Sequence, residues 1–587
     1  MLTALLFASA ITTAPLPPAI PWNGASRALV VPASDPWITP SERTSLRTTP
    51  RYDETIAYLQ RLVAASRDLR MISLGKSGEG RDVWMVIASR ERAFTPEALR
   101  RSTKPLVLAQ GGIHAGEIDG KDAGLMLLRD MTVKGTKRDL LDGANFLFVP
   151  IFNVDGHERF HAFTRINQRG PEEGGYRTNA RNLNLNRDYV KADAEEMRAM
   201  IRAIDTWQPD LYIDLHVTDG ADYQYDITYG WNGPAAHSPS IANWLETTLR
   251  PAVDRGLASQ GHIPGPLIFT DDPLSFVVHG QTDPRLSNGY GDARHMASIL
   301  VENHSLKPYD QRVLGTYVFL EHILRLVARE GNALREANRT ARERRAKTIP
   351  LSWRIPQNAP AQQMEVLGVE SRKTLSAISG GVRTEWLGRP VTQQAPVQLA
   401  NEVATSVTRP AAYWVPPSWR EVIELVELHG IQYERITAPR EVDVTMYRFA
   451  DPKFGPQQFE GHVRVTATIT PERRKERFPA GTLRISTDQP LGTLAVLMLE
   501  PSSPDSLFQW GFFHSILSPT EYVEAYIMEP MAERMLAEDP KLAAEFQRKI
   551  ETDATFRGDP RARLQWLYER TPFYDERARL YPVGREE

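Results

Sequence analysis

Two stretches of this 587-residue sequence carry the spacing of metal ligands. His114-Ala115-Gly116-Glu117 sets an imidazole and a carboxylate three residues apart, and HERFH, His157 to His161, sets two imidazoles four apart beside Glu158. The second stretch matches H-E-x-x-H, in which two histidines one helical turn apart hold zinc and the glutamate serves as base. That chemistry needs a stable helix under the motif. Here the motif follows Asn153-Val154-Asp155-Gly156, a turn closing an apolar run, and residues 164–175 beyond it are polar and glycine-rich. A third ligand would have to come from Glu172, Glu173, Glu195 or Glu196, none of them well placed. The H-x-x-E pair is therefore the expected metal motif. It follows the apolar run 105–109 (PLVLA) through Gly111 and Gly112, which puts both side chains on a loop at a strand's carboxyl end, where open sheets bind ligands.

Two further residues stand at similar places. His216 closes the apolar run 210–215, and Glu302 closes 298–301. His114, Glu117 and His216 supply three N/O ligands and leave a fourth zinc position open to water, as a catalytic site requires. Glu302, left unligated at the same edge, is placed to accept a proton from that water. Asp214 is available either to orient His216 or to face solvent. His157, His279, His295 and His304 are read as hydrogen-bonded core or surface histidines.

Several elements must hold these residues. Residues 52–63 show helical spacing and 70–89 alternate as strands, after which short apolar runs (105–109, 145–152, 210–215, 298–301) alternate with helical stretches (120–131, 194–207, 311–330). That rhythm predicts an α/β fold: a mostly parallel or mixed twisted sheet flanked by helices. Beyond residue 345 the pattern changes, with strands expected at 463–469, 483–486 and 494–500 and helices over 521–549. The expected organisation is a catalytic domain over 45–345 and an accessory α+β domain over 346–587, β-rich and then helical.

Composition removes other classes. There are 70 Lys+Arg against 73 Asp+Glu, so no broad basic field attracts nucleic acid. The absence of cysteine excludes disulfides, thiolate metal sites and a cysteine nucleophile together. Residues 1–19 have an apolar stretch over 2–11 followed by small residues and prolines, which predicts an export signal and a periplasmic or secreted protein. No later run is long enough to span a membrane, and oligomeric state leaves no trace in the sequence.

The motifs HAGE, NVDG, LNLNRDY and DLH and the strand ending in Glu302, in that order, resemble the zinc carboxypeptidase family related to carboxypeptidase A, over about residues 52–330. Gly75, Lys76, Ser77, Gly80 and Arg81 are similar to that family's early strand pair. The resemblance implies one zinc ion on His114, Glu117 and His216, with Glu302 as general base and acid. It implies that Asn186 and Arg187 grip the terminal carboxylate of a peptide, a task that suits an amide and a guanidinium fork. It also implies an arginine that polarises the scissile carbonyl, for which Arg169 has suitable spacing and Arg165 and Arg177 compete. A substrate-capping tyrosine is implied too, with Tyr290 the candidate and a core aromatic the other reading. The expected activity is that of a metallocarboxypeptidase acting on peptides with a free C-terminal carboxylate. Three alternatives stand beside it: a related amidase on cell-wall or modified peptides, an H-E-x-x-H protease using His157 and His161, and a catalytically silent peptide- or glycan-binding protein.

Overall fold

Parallel strands buried on both faces form the frame that carries the candidate residues. The computed structural model describes residues 14–268, the backbone of 276–277, and residues 281–358, 362–518 and 521–587. Its largest sheet contains β1 (Leu69–Lys76), β2 (Asp82–Ala88), β3 (Leu106–Gly111), β4 (Asn145–Val149), β5 (Leu211–Thr218), β6 (Ile227–Gly230), β7 (Pro264–Pro266) and β8 (Ala297–His304). Their spatial order is β1-β2-β4-β3-β5-β8-β6-β7. The middle four, β4, β3, β5 and β8, run parallel, and β2 and β6 pair antiparallel on either side. The fold is thus the mixed α/β sheet that the alternation predicts.

Side chains divide between its two faces by the two-residue period of a strand. Leu106, Leu108 and Tyr212 enter one core; Val107, Ala109, Ile213 and Leu215 enter the other. Helices Asp119–Met131 and Tyr309–Glu343 cover the second face. Helix Glu195–Trp207 covers the first, together with residues from far down the chain: Tyr413, Val426 and helix Gly492–Leu499 share the core of Leu108 and Tyr212. With both faces covered, no polar stripe interrupts these strands, and so they read as unbroken apolar runs.

Strand lengths differ from the expectation in a way that matters. β5 continues to Thr218 and β8 to His304, so His216 and Glu302 lie inside paired strands. Residue 216 pairs directly with 302, and 214 with 300. Further on, Leu483–Ser486 is a strand as expected, and the run at 463–469 opens a longer strand, Val465–Phe478, paired with Arg440–Phe454. Residues 494–500 are not a strand. They belong to the buried helix Gly492–Leu499, whose apolar run has no polar punctuation from which a period of 2 or 3.6 can be read. Helices Ala525–Glu538 and Pro540–Thr552 occupy the stretch expected to be helical.

Residues 1–13, most of the expected leader, and His279 lie outside the described residues. The Pro17 carbonyl accepts a hydrogen bond from the Arg169 guanidinium, so the end of that leader packs against the sheet domain. Among the described residues no helix is long and apolar enough to cross a membrane.

Two buried histidines stitch the later chain to the sheet. His429 lies with Nδ1 2.7 Å from the Tyr290 hydroxyl and donates from Nε2 to the Val190 carbonyl at 3.0 Å. His295 spans Ser238 at 2.8 Å and Thr493 at 3.1 Å. Burial holds both neutral, with pKa values pushed down to about 3. Unfolding releases them to the ordinary histidine value near 6.5, so the unfolded chain binds more protons between those limits and stability is lost as the pH is lowered through them. The contribution of these two histidines to the melting midpoint should be flat above about pH 6.5 and fall as the pH is lowered towards about pH 4. His429→Gln, which keeps a donor for Val190, should show a shallower drop; an unchanged slope would mean that His429 is not among the groups responsible.

Candidate metal centre

His114 and Glu117 depend on two glycines. Gly112 has φ +67°, which turns the chain off the end of β3. At Gly116 a Cβ would meet Arg165 Cγ at 2.6 Å and the Gly175 carbonyl at 2.7 Å, so only glycine admits this close approach. The loop then delivers His114 and Glu117, both buried, to His216 on β5.

Three atoms converge. His114 Nδ1 lies 3.0 Å from Glu117 Oε2, His216 Nδ1 lies 3.1 Å from the same oxygen, and the two Nδ1 atoms are 3.2 Å apart. Ligands at about 2.0–2.1 Å from a tetrahedral zinc stand roughly 3.3 Å from one another, so the triangle fits that ion. The far side of each ring is also engaged. His114 Nε2 lies 2.9 Å from Asn184 Oδ1, and His216 Nε2 lies 2.7 Å from Asp214 Oδ2. Donation from both Nε2 atoms leaves the Nδ1 lone pairs facing inward, as ligation needs. Asp214 is in turn held by Gln110, which donates at 2.9 Å. Of the two readings of Asp214, the inward one holds, because residues two apart on a strand share a face.

Glu117 divides its oxygens between two tasks. Oε2 faces the histidines and accepts from the Val217 amide at 3.0 Å; Oε1 accepts from Arg165 at 2.8 Å and Arg177 at 3.3 Å. Burial would raise this carboxyl, but His114 and Arg165 hold it ionised, well below the usual carboxylate range. The histidines respond in opposite directions. Burial pushes His114 down to about 4, whereas for His216 the Asp214 carboxylate outweighs burial and raises it well above the ordinary value. One positive charge is therefore favoured at the triangle even without metal, and a cation seated there takes its place.

Glu302 stands beside His216 and lines the same cavity of about 320 Å³. Its Oε2 is buried without a hydrogen-bond partner among the described residues. Burial pushes its pKa up to about 8, against the opposing pull of His216 and with the added repulsion of Glu117 and Asp214. Asn186 and Arg187 line the cavity as well. Arg187 donates to the Asn186 carbonyl at 2.6 Å and makes no ion pair among the described residues; Asn186 Oδ1 accepts from the Ser287 amide at 3.1 Å.

Two expected residues lie elsewhere. Arg169 does not line the cavity: its guanidinium donates to the Leu306 carbonyl at 2.9 Å and to that of Pro17, while Arg165 and Arg177 reach the site. Tyr290 is a core residue with no exposure, its hydroxyl bonded to His429 and Arg294. The H-E-x-x-H stretch forms no metal centre. Its helix, Val154–Glu158, ends before His161; buried His157 contacts Lys121 at 3.2 Å, whereas exposed His161 pairs in a bridge with Gly174. Among the described residues, His114, Glu117 and His216 are the group whose donor atoms could share an ion.

Other contacts were not foreseen. The Asn184 amide donates to Glu460 Oε2 at 2.8 Å, and Asp505 accepts from the Arg285 backbone and guanidinium, each at 2.8 Å. Both carboxylates come from beyond residue 345.

Residues 55–255 match the family model described as zinc carboxypeptidase. That span contains His114, Glu117, Asn186, Arg187 and His216 and ends before Glu302. The chain is similar to carboxypeptidase 2 of Trichophyton tonsurans, at 21% identity over 486 residues covering 79% of this chain and 84% of the relative. Carboxypeptidase 2 of Trichophyton rubrum is 22% identical over 484 residues, with the same coverage. Among solved structures, a carboxypeptidase A from Helicoverpa armigera aligns at 20% identity and TM-score 0.34, covering 50% of this chain and 74% of that one.

The triangle should bind one equivalent of zinc. His114→Ala or His216→Ala should abolish binding and His161→Ala should leave it intact, read as metal content after dialysis. Asp214→Asn should weaken affinity roughly 10–100-fold by loosening the His216 ring. Full zinc content in His114→Ala would place the ion elsewhere.

Proposed function

Starting from a chain that carries a zinc carboxypeptidase domain across residues 55–255, we propose that this metallocarboxypeptidase hydrolyses the C-terminal peptide bond of peptides with Glu302 as general base. The observation that carries the reading is Glu302, which lines the same cavity as the three donor residues and whose Oε2 has no hydrogen-bond partner among the described residues. His114, Glu117 and His216 are assigned as the ligands. These three side chains would hold a zinc ion, which when bound would supply Lewis acidity for water activation and carbonyl polarisation.

The chain's own residues do the rest. Glu302 accepts the proton of the attacking water and returns it to the leaving amine, a shuttle open to a carboxylate on the cavity wall whose Oε2 has no partner among the described residues. Arg187, which makes no ion pair among the described residues, and Asn186 bind the terminal carboxylate; burial and the nearby Arg177 and Arg285 lower the Arg187 pKa, so an incoming anion is welcome there. Arg165 or Arg177, each on Glu117 Oε1, is the cation nearest the reacting carbonyl and takes the role expected of Arg169.

The catalytic unit is assigned to 45–345 and an accessory unit to 346–587. Export to the periplasm or medium is proposed on the apolar stretch at 2–11.

Glu302→Gln should lower kcat by at least about a thousandfold while zinc remains bound, since the amide cannot accept the proton. Arg187→Ala should raise KM for peptides with a free C-terminus more than it lowers kcat. Robust turnover by Glu302→Gln would remove that residue from the chemistry.

A further inference from the structure

The tip of one hairpin from the later chain breaks a local rule. Between strands Arg440–Phe454 and Val465–Phe478, Phe459 and His462 exchange backbone hydrogen bonds at 2.7 and 3.1 Å and leave Glu460 and Gly461 as a two-residue turn. Both turn residues have positive φ, +51° at Glu460 and +85° at Gly461. Turns of that kind favour Asn-Gly, Asp-Gly or Gly-Gly, because a short polar side chain, or none, tolerates the left-handed region. Gly461 suits its place; Glu460, longer by a methylene than the residues the turn favours, does not.

Its carboxylate reaches the sheet domain instead. Glu460 Oε2 accepts the Asn184 amide at 2.8 Å. Asn184 is a junction of the site: its Oδ1 stands 2.9 Å from His114 Nε2 and accepts the Asn186 amide at 2.9 Å. One hydrogen bond from the hairpin thus fixes a residue that orients a donor of the metal triangle on one side and the proposed carboxylate grip on the other. The charge of Glu460 also acts on Arg187, against the repulsion of Arg177 and Arg285. The hairpin is held to the same loop at a second point, where His462 Nε2 lies 2.8 Å from Asp193 Oδ2.

A residue kept in an unfavourable backbone region persists where its surroundings over-determine it, and such residues gather at working sites. We propose that Glu460 is a positioning residue for the metal centre and the carboxylate grip, retained in the turn for its reach to Asn184 and at the expense of the turn itself. Its effect on substrate rests on the carboxypeptidase reading above; its effect on metal does not.

The test sets turn stability against site function in the full-length protein. Glu460→Asn suits the left-handed turn but is too short to reach Asn184, so its melting midpoint should stay within about 2 °C of wild type or rise. Its zinc affinity, read by competition with a chelator, should nevertheless fall about three- to tenfold, and KM for peptides with a free C-terminus should rise about threefold or more. Glu460→Gln, which keeps an acceptor for the Asn184 amide, should hold zinc within about twofold of wild type. Wild-type zinc affinity and KM in Glu460→Asn would overturn the assignment, as would losses accompanied by a fall of several degrees in the melting midpoint. If the wild type releases no C-terminal residue from any peptide, the carboxypeptidase reading falls, and the zinc affinities of the two variants still decide the role of Glu460.

Discussion

The register between β5 and β8 is the constraint on which the rest of the site depends. Pairing of residue 216 with residue 302 sets an imidazole and a carboxyl side by side on one face of a sheet buried on both sides. A slip of one residue would turn Glu302 toward the opposite core and bring Val301 or Asn303 to the imidazole. Such a slip would also bury the Glu302 carboxyl among Ile299, Val301 and Ile213, at a cost no local hydrogen bond offsets. Register and chemistry are therefore specified by the same apolar pattern.

The electrostatic design follows from that placement. Glu117, Asp214 and Glu302 are three carboxyls within one buried cluster, and mutual repulsion would protonate some of them unless cations intervened. Arg165 and Arg177 stabilise Glu117 through Oε1, leaving Oε2 to the histidines, and His216 stabilises Asp214. Glu302 Oε2 has no hydrogen-bond partner among the described residues, and burial raises the Glu302 pKa. Environment separates three carboxyls into two held ionised and one whose pKa is raised, the kind of separation by which a site can assign acid–base roles. A metal ion at the triangle would add positive charge beside all three and draw the Glu302 value back toward the acid range.

Much of this was legible in the sequence, for a physical reason. Doubly buried parallel strands are continuous apolar runs, so 105–109, 210–215 and 298–301 are legible as strands, and the polar residue closing each run lies at or near a strand's carboxyl end, with β5 and β8 continuing two residues past His216 and Glu302. That is why His114, Glu117, His216 and Glu302 could be grouped from sequence before any geometry. Asp214 was equally accessible, since a separation of two fixes its face with that of His216. The arginines were not, because residues 161–182 are held largely by turns, and spacing along such a chain does not fix direction. Arg169 has a suitable interval to Arg187 and still points to Leu306 and Pro17. Tyr290 failed for a different reason: its aromatic ring completes a core formed with residues 139 positions away. The helix Gly492–Leu499 was misread because an apolar stretch of that length has no periodicity to offer.

Least legible were the contacts from the accessory part of the chain, and they bear on why it is there. Glu460 holds Asn184, and Asn184 Oδ1 in turn faces His114 Nε2 and receives the Asn186 amide at 2.9 Å. Asp505, fully buried, holds Arg285 at the head of the segment that carries Leu286 and Asn288. The two segments that bring Asn186, Arg187, Leu286 and Asn288 to the cavity wall are thus each anchored by a carboxylate from beyond residue 345. Loops that belong to no sheet have little rigidity of their own, and a binding wall must hold its geometry to within fractions of an ångström to recognise a terminal carboxylate. In this chain the stiffness comes from outside the sheet domain. Residues beyond 345 can supply it because they share a core with β3 and β5, through Tyr413, Val426 and the buried helix Gly492–Leu499.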